Sequence, residues 1–303
     1  MADITIIGAG IVGLLAAKLF KGKAEIFEEK TKIEQLNSNA SLWTIIPPLC
    51  GNYLNECEEA ISFYEDLGKK YNVYHKRTYT LTDKELGGTE VSESEIRELE
   101  PNLRITTKLR KIEKTMFIEG EELIAKIASE LDIHFGKKIA KLGASNNEVK
   151  YIETDSGERI NVERLIIAAG YWTNNLVPLD LSPFKGHLVI AKSPYDLTGI
   201  IFYKGKIVVK GKENVYINAD SEKDSSLSIN YDIVKDHITV TSQIFPISTS
   251  NIKIRVGIRS VSGDGEPIIK QIYKNAVVIT GYRFGFALAP YMVNRALKII
   301  EGV

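Results

Sequence analysis

Apolar and polar positions at the start of this chain follow the periods of a strand, a helix and a second strand. Residues 4–28 contain a short apolar run, a glycine-rich turn, a stretch with helical spacing and a strand that ends in the carboxylate of Glu28. Two later runs, residues 165–169 and 276–280, are apolar except for Thr280 at the end of the second, and each is followed by glycine. Strands of this kind are buried on both faces, as in a parallel sheet. The pattern predicts a parallel-sheet core built from both ends and the middle of the chain.

The segments between these runs have other periods. Apolar residues spaced by three and four predict amphipathic helices at residues 56–71 and 121–131. A capping box of Ser92 and Glu95, with Pro101 as the stop, predicts a helix at residues 91–99. Alternation predicts strands at residues 74–82, 133–135, 148–154 and 158–162, and it dominates residues 188–256, which we interpret as an antiparallel sheet. We expect extended backbone at Pro47 and Pro48. A closing helix is predicted over residues 290–300, with Pro290 at its start.

Gly8, Gly10 and Gly13 have the G-x-G-x-x-G spacing between the first strand and the first helix. Gly8 allows a tight turn, Gly10 lets backbone approach a pyrophosphate, and Gly13 lets helix and strand pack closely. The pyrophosphate then lies at the positive end of the helix, and Glu28 can accept hydrogen bonds from ribose hydroxyls. The motif predicts dinucleotide binding, against the alternative of a glycine-rich packing turn, but does not say which dinucleotide.

The elements together predict an α+β fold with an α/β nucleotide-binding core and two interwoven domains. We expect a Rossmann-like cofactor-binding domain at residues 1–44, 100–184 and 256–303. An antiparallel-sheet substrate domain is expected at residues 45–99 and 185–255.

Composition narrows the classes of function. The 303 residues suffice for two domains with separate cores. The formal net charge of +0 gives no reason to expect nucleic acid or an anionic membrane as a partner. The sequence has no apolar run long enough to span a membrane and no room for a signal peptide, so we expect a cytoplasmic protein. Cys50 and Cys57 lack metal-ligand spacing and the four histidines are scattered, so we expect free thiols and no metal site.

Several separated segments are similar, in order, to the FAD-dependent D-amino acid oxidase superfamily, which includes glycine oxidase and sarcosine oxidase. Besides the N-terminal glycines, these segments are VSESEIRELEPNL, LIIAAGYWTNNL, FKGHL, VGIRSVSGDGEPII and ITGYRFGFALAP. The resemblance implies non-covalent FAD in the cofactor-binding domain. It also implies oxidation of the C–N bond of a small amino acid or secondary amine, in which hydride passes to flavin N5 and the imine is hydrolysed.

The resemblance assigns a set of residues to the cofactor. We expect FAD contacts from Gly8, Ala9, Gly10, Ile11, Val12, Gly13, Glu28, Glu29, Ser41, Leu42, Ile139, Ala169, Gly170, Trp172, Gly257, Gly281, Tyr282, Arg283, Phe284, Gly285 and Phe286. The N–H groups of the loop at 281–288 could stabilise negative charge on the reduced flavin, helped by the dipole of the closing helix. Packing in the core is the alternative role for Trp172, and a turn with a glycine cap is the alternative for the loop.

Arg259 is the residue that the resemblance assigns to the substrate carboxylate. A planar guanidinium forms bidentate, charge-assisted hydrogen bonds with a carboxylate, whereas the alternative is a surface salt bridge. Arg283 and Tyr203 are the further candidates for a catalytic role, with Tyr216 as the alternative to Tyr203 and packing as the alternative for both tyrosines. A side-chain base is not required, because the flavin carries the chemistry and the protein orients the substrate.

The chain departs from the family at positions that concern the substrate. Lys185 stands where arginine is usual, Ser260 stands where proline follows Arg259, KIVVKG replaces a Tyr-x-x-Pro-Arg strand, and Trp43 stands where glycines are usual. The alternatives are a flavin dehydrogenase for a hydroxy acid or glycerol phosphate, a flavoprotein subunit that depends on a partner, and an NAD(P)-dependent reductase, which the C-terminal motifs disfavour. The electron acceptor, dioxygen or another molecule, and the assembly, a homo-oligomer or a complex with a partner subunit, stay open.

Overall fold

A computed structural model describes residues 2–302. Contacts divide the chain into a first unit, Met1–Asn39, Ile124–Phe184 and Ile258–Val303, and a second unit, Ala40–Leu123 and Lys185–Gly257. These units differ from the expected domains mainly at residues 100–123, which belong to the second unit rather than to the cofactor-binding domain. The reason is strand pairing, because Leu109–Ile118 pairs along its length with His75–Thr82.

The strands, in chain order, are β1 (Ile4–Ile7), β2 (Ala24–Glu28), β3 (Thr44–Ile45), β4 (His75–Thr82), β5 (Thr89–Val91), β6 (Leu109–Ile118), β7 (Asp132–Phe135), β8 (Ile139–Ser145), β9 (Glu148–Thr154), β10 (Arg159–Asn161), β11 (Leu165–Ile167), β12 (Leu181–Lys192), β13 (Ile200–Tyr203), β14 (Lys206–Lys210), β15 (Asn214–Asn218), β16 (Ser248–Ser262), β17 (Ile268–Tyr273) and β18 (Ala276–Thr280). The α-helices are α1 (Ile11–Leu19), α2 (Leu54–Tyr71), α3 (Glu93–Leu99), α4 (Gly120–Ala128), α5 (Tyr231–Ile244) and α6 (Gly285–Glu301). Short 3₁₀ helices cover Ile33–Gln35, Asn37–Ala40, Pro47–Tyr53 and Gly170–Asn175. Within residues 2–302, no helix is both long enough and apolar enough to cross a membrane.

The core of the first unit is a sheet with the order β17-β18-β11-β1-β2-β7, parallel except for β17. Ile6 faces helix α1, while its neighbour Ile7 joins an apolar cluster with Val149 and Ile152 of the small β8–β9–β10 sheet, as the alternation of a strand requires. Helices α1 and α6 pack against each other and against this sheet. The predicted Rossmann-like core is therefore confirmed.

Helix α6 begins at Gly285, before the predicted start at Pro290. The prediction was wrong because it placed the proline at the first helical position, where a missing N–H costs nothing. In the structure Pro290 lies inside the helix, and Phe286, Leu288 and Ala289 are already buried before it. Packing of this first turn offsets the loss of one backbone hydrogen bond.

The second unit contains a largely antiparallel sheet with the order β16-β12-β15-β14-β13-β4-β6-β3, and β5 pairs with β6. One face packs against α3 and α5, where Ile96 and Val234 join Ile201, Val208 and Ile217 in an apolar cluster. The sheet predicted from alternation is confirmed, with a parallel pair between β4 and β13.

Helix α5 lies within residues 188–256, which the sequence predicted as strands. Its buried positions are Val234, His237, Thr241 and Ile244. Two of these four residues are polar, so an apolar pattern does not reveal the helix. Asn230 caps its N-terminus by accepting hydrogen bonds from two N–H groups of the first turn.

Trp43 packs against Gly120 in the second unit. The side chain of Trp43 is 3% exposed, and its φ of 60° lies in the left-handed region. A Cβ atom on Gly120 would lie 1.6 Å from Cδ2 of Trp43. The indole ring therefore occupies the space that any side chain at position 120 would need.

Two expectations about the segment after Trp43 are wrong. Pro47 and Pro48 begin a 3₁₀ helix, and extended backbone is found at Ile46 before them, with φ −124° and ψ 91°. Cys50 and Cys57 form a disulfide rather than free thiols. The 3₁₀ helix packs against α2, which brings the two cysteines together.

Candidate functional site

The turn between β1 and α1 brings backbone against backbone in the first unit. Gly8 has a φ of 101°, and a Cβ atom there would lie 2.6 Å from the carbonyl oxygen of Ala168. A Cβ atom on Gly13 would lie 1.9 Å from the carbonyl oxygen of Gly8. The fold itself therefore requires both glycines, as the motif predicts.

Gly10 differs from these glycines because the fold does not require it. Gly10 is the N-cap of α1, with φ −65° and ψ 174°, which any residue can adopt. A Cβ atom there would meet the hydroxyl of Ser38 at 3.1 Å, and that hydroxyl accepts the N–H of Ile11 at 3.0 Å. Gly10 and the first helical residues, Ile11 and Val12, lie at the positive end of α1. We call this place, where Gly10 has no Cβ atom, the cradle, and it suits a pyrophosphate. The sequence did not point to Ser38.

Glu28 ends β2 and is fixed by two backbone N–H groups. Its Oε2 accepts the N–H of Ala9 at 2.7 Å, and its Oε1 accepts the N–H of Lys30 at 2.9 Å. Glu28 is only 9% exposed, yet each oxygen keeps a further acceptor position, which suits ribose hydroxyls. Glu29 is exposed, with its carboxylate 3.9 Å from Nζ of Lys138, so Glu28 is the better ribose ligand.

The residues after β11 lie beside this turn, because Ala168 donates its N–H to β1 at 2.8 Å. Gly170 has a φ of 57° and open space where a side chain would be. Ala169 and Trp172 are half-buried, and Nζ of Lys30 lies 6.0 Å from the centre of the Trp172 ring. Because Gly170 has no side chain and open space beside it, the backbone here can lie against a cofactor.

The loop before α6 contains the predicted flavin-loop residues. Gly281 has a φ of 84°, the rings of Tyr282 and Phe284 meet edge to face, and Arg283 between them is exposed. Helix α6 begins at Gly285 without a side-chain cap and with no acidic residue in its first turn. Its positive N-terminal end is therefore suited to an anion or to developing negative charge.

Arg259 lies in β16 and is half-buried. The residues on either side of it are fixed by side chains of the first unit. The amide of Asn37 forms hydrogen bonds of 2.7 and 2.8 Å with the backbone of Ile258, and the hydroxyl of Ser260 lies 3.0 Å from that of Thr280. The backbone of the predicted carboxylate-binding arginine is thus held on both sides.

The positions of the remaining predicted site residues neither support nor oppose a role in the site. Ser41, Leu42 and Gly257 belong to the second unit, and Ile139 packs in the apolar cluster of the first unit. Tyr203 belongs to the second unit, where it ends β13 at a hairpin turn and packs against the apolar cluster on that side of the sheet. A catalytic role for Tyr203 stays a prediction.

Tyr216, the alternative tyrosine, is bound to Glu119. Its hydroxyl donates to Oε2 of Glu119, and Oε1 accepts the N–H of Lys212 at 3.0 Å. Burial and the nearby carboxylate raise the pKa of the Tyr216 hydroxyl, and burial raises the pKa of the Glu119 carboxyl. Tyr216 is therefore a neutral donor committed to a structural hydrogen bond.

A buried network in the second unit joins β12 to α5. Nδ1 of His187 lies 2.8 Å from one oxygen of Asp220, and Nε2 of His237 lies 3.0 Å from the other. Nε2 of His187 accepts the N–H of Asn230 at 2.9 Å, so its Nδ1 carries the proton and donates it to Asp220. Burial alone would raise the pKa of the Asp220 carboxyl, but hydrogen bonds from the two histidines outweigh burial and lower it to about 2.

His187, Asp220 and Glu222 also offer ligand atoms within 4.8 Å of one another, close enough for a metal ion. Both nitrogens of His187 are already occupied by hydrogen bonds, and the ammonium of Lys185 lies 3.5 Å from Glu222. Since a bound cation would be repelled by this ammonium, the geometry favours a structural network that fixes α5.

Comparison with known proteins identifies the family. Residues 3–293 match the model of the DAO family, described as FAD dependent oxidoreductase. The chain is 25% identical to the tRNA 5-methylaminomethyl-2-thiouridine biosynthesis bifunctional protein MnmC of Campylobacter fetus subsp. fetus, over 90% of this chain and 49% of that protein, so it spans about half the length of this relative. The chain belongs to the DAO family of FAD-dependent oxidoreductases.

Solved structures agree on the fold. Glycine oxidase from Bacillus cereus is 18% identical, with a TM-score of 0.85 and coverage of 100% of this chain and 98% of that one. L-Proline dehydrogenase from P. horikoshii is 16% identical, with a TM-score of 0.84 and coverage of 99% and 95%. At these identities the similarity concerns the fold alone.

The residues of the first unit fit FAD, the cofactor of this family. The cradle at Gly10 suits the pyrophosphate and the fixed carboxylate of Glu28 suits the ribose. The uncapped start of α6 at Gly285 suits negative charge on a reduced flavin.

Proposed function

We propose that the protein oxidises the C–N bond next to the carboxylate of a small amino acid or secondary amine. The observation that carries this proposal is the position of Arg259, a half-buried guanidinium on a strand whose neighbouring residues are both fixed by side chains of the cofactor-binding unit. Bidentate binding by arginine fixes a carboxylate in one orientation, and such orientation can supply a large share of the rate.

In this proposal the protein binds and orients, and FAD supplies the acceptor for the hydride that leaves the substrate carbon. Arg259 binds the carboxylate, while the neutral amine loses hydride from the adjacent carbon and becomes an imine. Water then converts the imine to a carbonyl compound and a free amine. Arg283 and Tyr203 are proposed to contact the substrate as further site residues.

The names of the similar proteins support this substrate class. Glycine and L-proline, named for the two proteins of similar fold, both carry an amine and a carboxylate on one carbon. The tRNA-modifying relative is named for a methylaminomethyl group, which also contains a C–N bond. The common feature is an oxidisable C–N bond.

Anaerobic bleaching of the bound flavin tests the proposal. The panel contains D- and L-amino acids, glycine, sarcosine, proline and hydroxyproline, together with lactate and glycerol phosphate for the alternative dehydrogenases. We expect bleaching by at least one amine with a carboxylate. Bleaching by lactate or glycerol phosphate alone would refute the proposal.

The electron acceptor and the assembly are measured with the same preparation. Admission of dioxygen to bleached protein distinguishes an oxidase, which regains its colour rapidly, from a dehydrogenase that needs another acceptor. A second polypeptide that co-purifies and is needed for bleaching would identify a partner-dependent flavoprotein subunit. The mass in solution distinguishes that complex from a homo-oligomer.

A further inference from the structure

Arg259 is held from both sides by side chains that are distant from it in the sequence. We infer that Asn37, acting through Ile258, and Thr280, acting through Ser260, are positioning residues that fix the backbone of Arg259 and hence the direction of its guanidinium. The inference rests on the proposed function, in which Arg259 binds the substrate carboxylate.

Asn37 pairs with both backbone groups of Ile258. Its Nδ2 donates to the carbonyl oxygen of Ile258 at 2.8 Å, and its Oδ1 accepts the N–H of Ile258 at 2.7 Å. A neighbouring antiparallel strand makes the same pair of bonds to one residue. A single side-chain amide thus takes the place of a strand at the residue just before Arg259.

Thr280 holds the residue just after Arg259. Its Oγ1 donates to the carbonyl oxygen of Gly170 at 3.0 Å, and it lies 3.0 Å from the hydroxyl of Ser260. A threonine hydroxyl has one proton, so Ser260 must be the donor to Thr280. This chain of bonds ties β16 to Gly170, which follows β11 and begins the 3₁₀ helix Gly170–Asn175.

Asn37 also lies in a turn that contacts the start of α1. It begins the 3₁₀ helix Asn37–Ala40, and the next residue, Ser38, accepts the N–H of Ile11 at 3.0 Å. Two consecutive side chains therefore contact different elements, since Asn37 bonds to β16 and Ser38 bonds to the first residue of α1. The turn thus connects these two elements.

A displacement of β16 would move the guanidinium of Arg259 and thereby the carboxylate that it is proposed to bind. Side chains of a strand follow the direction of its backbone, and a shift of about 1 Å in a group that orients a substrate can cost about a hundredfold in rate. Removing one of the two anchors, Asn37 or Thr280, leaves the other in place. We therefore expect an intermediate loss, about tenfold, in the rate and in the affinity for a carboxylate.

Asn275 provides a matched control. Its Nδ2 donates to the carbonyl oxygen of Val149 at 2.8 Å and its Oδ1 accepts the N–H of Val149 at 2.9 Å. Like Asn37, it is a half-buried asparagine of the first unit that pairs with both backbone groups of one residue. It also donates to the carbonyl oxygen of Glu163 at 2.9 Å, and none of these bonds involves residues 258–260. Asn275→Ala therefore removes the same pair of bonds elsewhere in the unit, together with one further bond.

The test measures the dissociation constant of acetate, a carboxylate without a C–N bond, from the change in flavin absorbance of the FAD-loaded protein. Thermal midpoint and FAD content are measured beside it. We expect affinity for acetate to fall at least about a hundredfold in Arg259→Ala, which removes the charged partner of the carboxylate. In Asn37→Ala and Thr280→Val we expect a fall of about tenfold, which is half of that loss in free energy. Asn275→Ala should change it less than about twofold, with a comparable loss of thermal stability.

Each other result counts against a specific claim. If Asn37→Ala and Thr280→Val bind acetate like Asn275→Ala while Arg259→Ala does not, the positioning inference is wrong and the proposed function stands. If the unaltered protein does not bind acetate, or Arg259→Ala binds it normally, the proposed function fails and the inference fails with it. Thr280→Val is nearly isosteric and carries the test should Asn37→Ala not fold.

A double variant separates positioning from general loss of structure. If Asn37 acts through Arg259, then Asn37→Ala adds no loss of acetate affinity in the Arg259→Ala background. A further loss of equal size in that background would overturn the inference, because it would show that Asn37 acts independently of the guanidinium.

Discussion

A methyl group added at Gly13 would press directly on the backbone of the dinucleotide turn. The new Cβ atom would lie 1.9 Å from the carbonyl oxygen of Gly8, whereas non-bonded heavy atoms rest at about 3.5 Å. Helix α1 must therefore move outward by about 1 Å or more. Overpacking costs about 1–3 kcal/mol, and we take the upper end because the obstacle is backbone rather than a flexible side chain.

The better helix propensity of alanine offsets about 1 kcal/mol of this cost. We therefore expect Gly13→Ala to lower the free energy of unfolding of the apoprotein by about 2 kcal/mol. The assay is urea unfolding followed by circular dichroism. An apoprotein variant as stable as the unaltered protein would refute the close packing of α1 on this turn.

Gly10→Ala is the control, since its Cβ atom would meet the Ser38 hydroxyl at 3.1 Å and its backbone conformation suits alanine. We expect it to cost the apoprotein less than about 1 kcal/mol. Its methyl group would stand in the cradle, however, so the affinity for FAD should fall at least about tenfold, or 1.4 kcal/mol, in a titration of the apoprotein. Normal affinity for FAD would show that Gly10 is not a point of close approach.

Three further predictions concern other parts of the chain. Arg259→Ala should keep FAD but lose at least about a hundredfold in kcat/KM, or about 2.7 kcal/mol, for the amine that bleaches the flavin; unchanged kinetics would remove Arg259 from the site. Asp220 has a folded pKa of about 2, below its unfolded value of about 3.9, so it contributes about 2.5 kcal/mol above pH 4 that is lost as the pH falls through about 2. Urea unfolding of Asp220→Asn should show that loss at pH 7 and little difference near pH 2, and equal losses at both would contradict the pairing with histidine. Replacement of Cys50 and Cys57 by alanine opens a loop with a sequence separation of 7 and should lower the thermal midpoint through a loss of about 2.5 kcal/mol, whereas an unchanged midpoint would contradict a stabilising disulfide.

The part of the candidate site that suits the dinucleotide, the turn between β1 and α1 together with Glu28, could be predicted from the sequence. Gly8 has a positive φ, Gly13 lies against backbone that leaves no space for a Cβ atom, and Glu28 ends the strand that the motif requires. These residues lie within one strand–helix–strand unit, so their spacing in the sequence fixes their geometry. The family resemblance extended the prediction to FAD and to the arginine strand.

The contacts that the sequence did not reveal join distant positions. Ser38 bonds to Ile11 across 27 positions, and Asn37 bonds to Ile258 across 221. No spacing rule connects such residues, because the tertiary fold brings them together. Helix α5 was missed for a different reason, since His237 and Thr241 on its buried face hide the apolar period.

The contact between Trp43 and Gly120 makes the residue allowed at position 120 depend on the residue at position 43. A relative that keeps tryptophan at position 43 has no room for a Cβ atom at position 120, which would lie 1.6 Å from the indole. A relative with glycine at position 43 is released from that restriction, and its helix α4 can begin with a residue of higher helix propensity. A designer who transfers Trp43 to another family member therefore has to place glycine at position 120 as well, whereas glycine at position 120 makes no such demand on position 43.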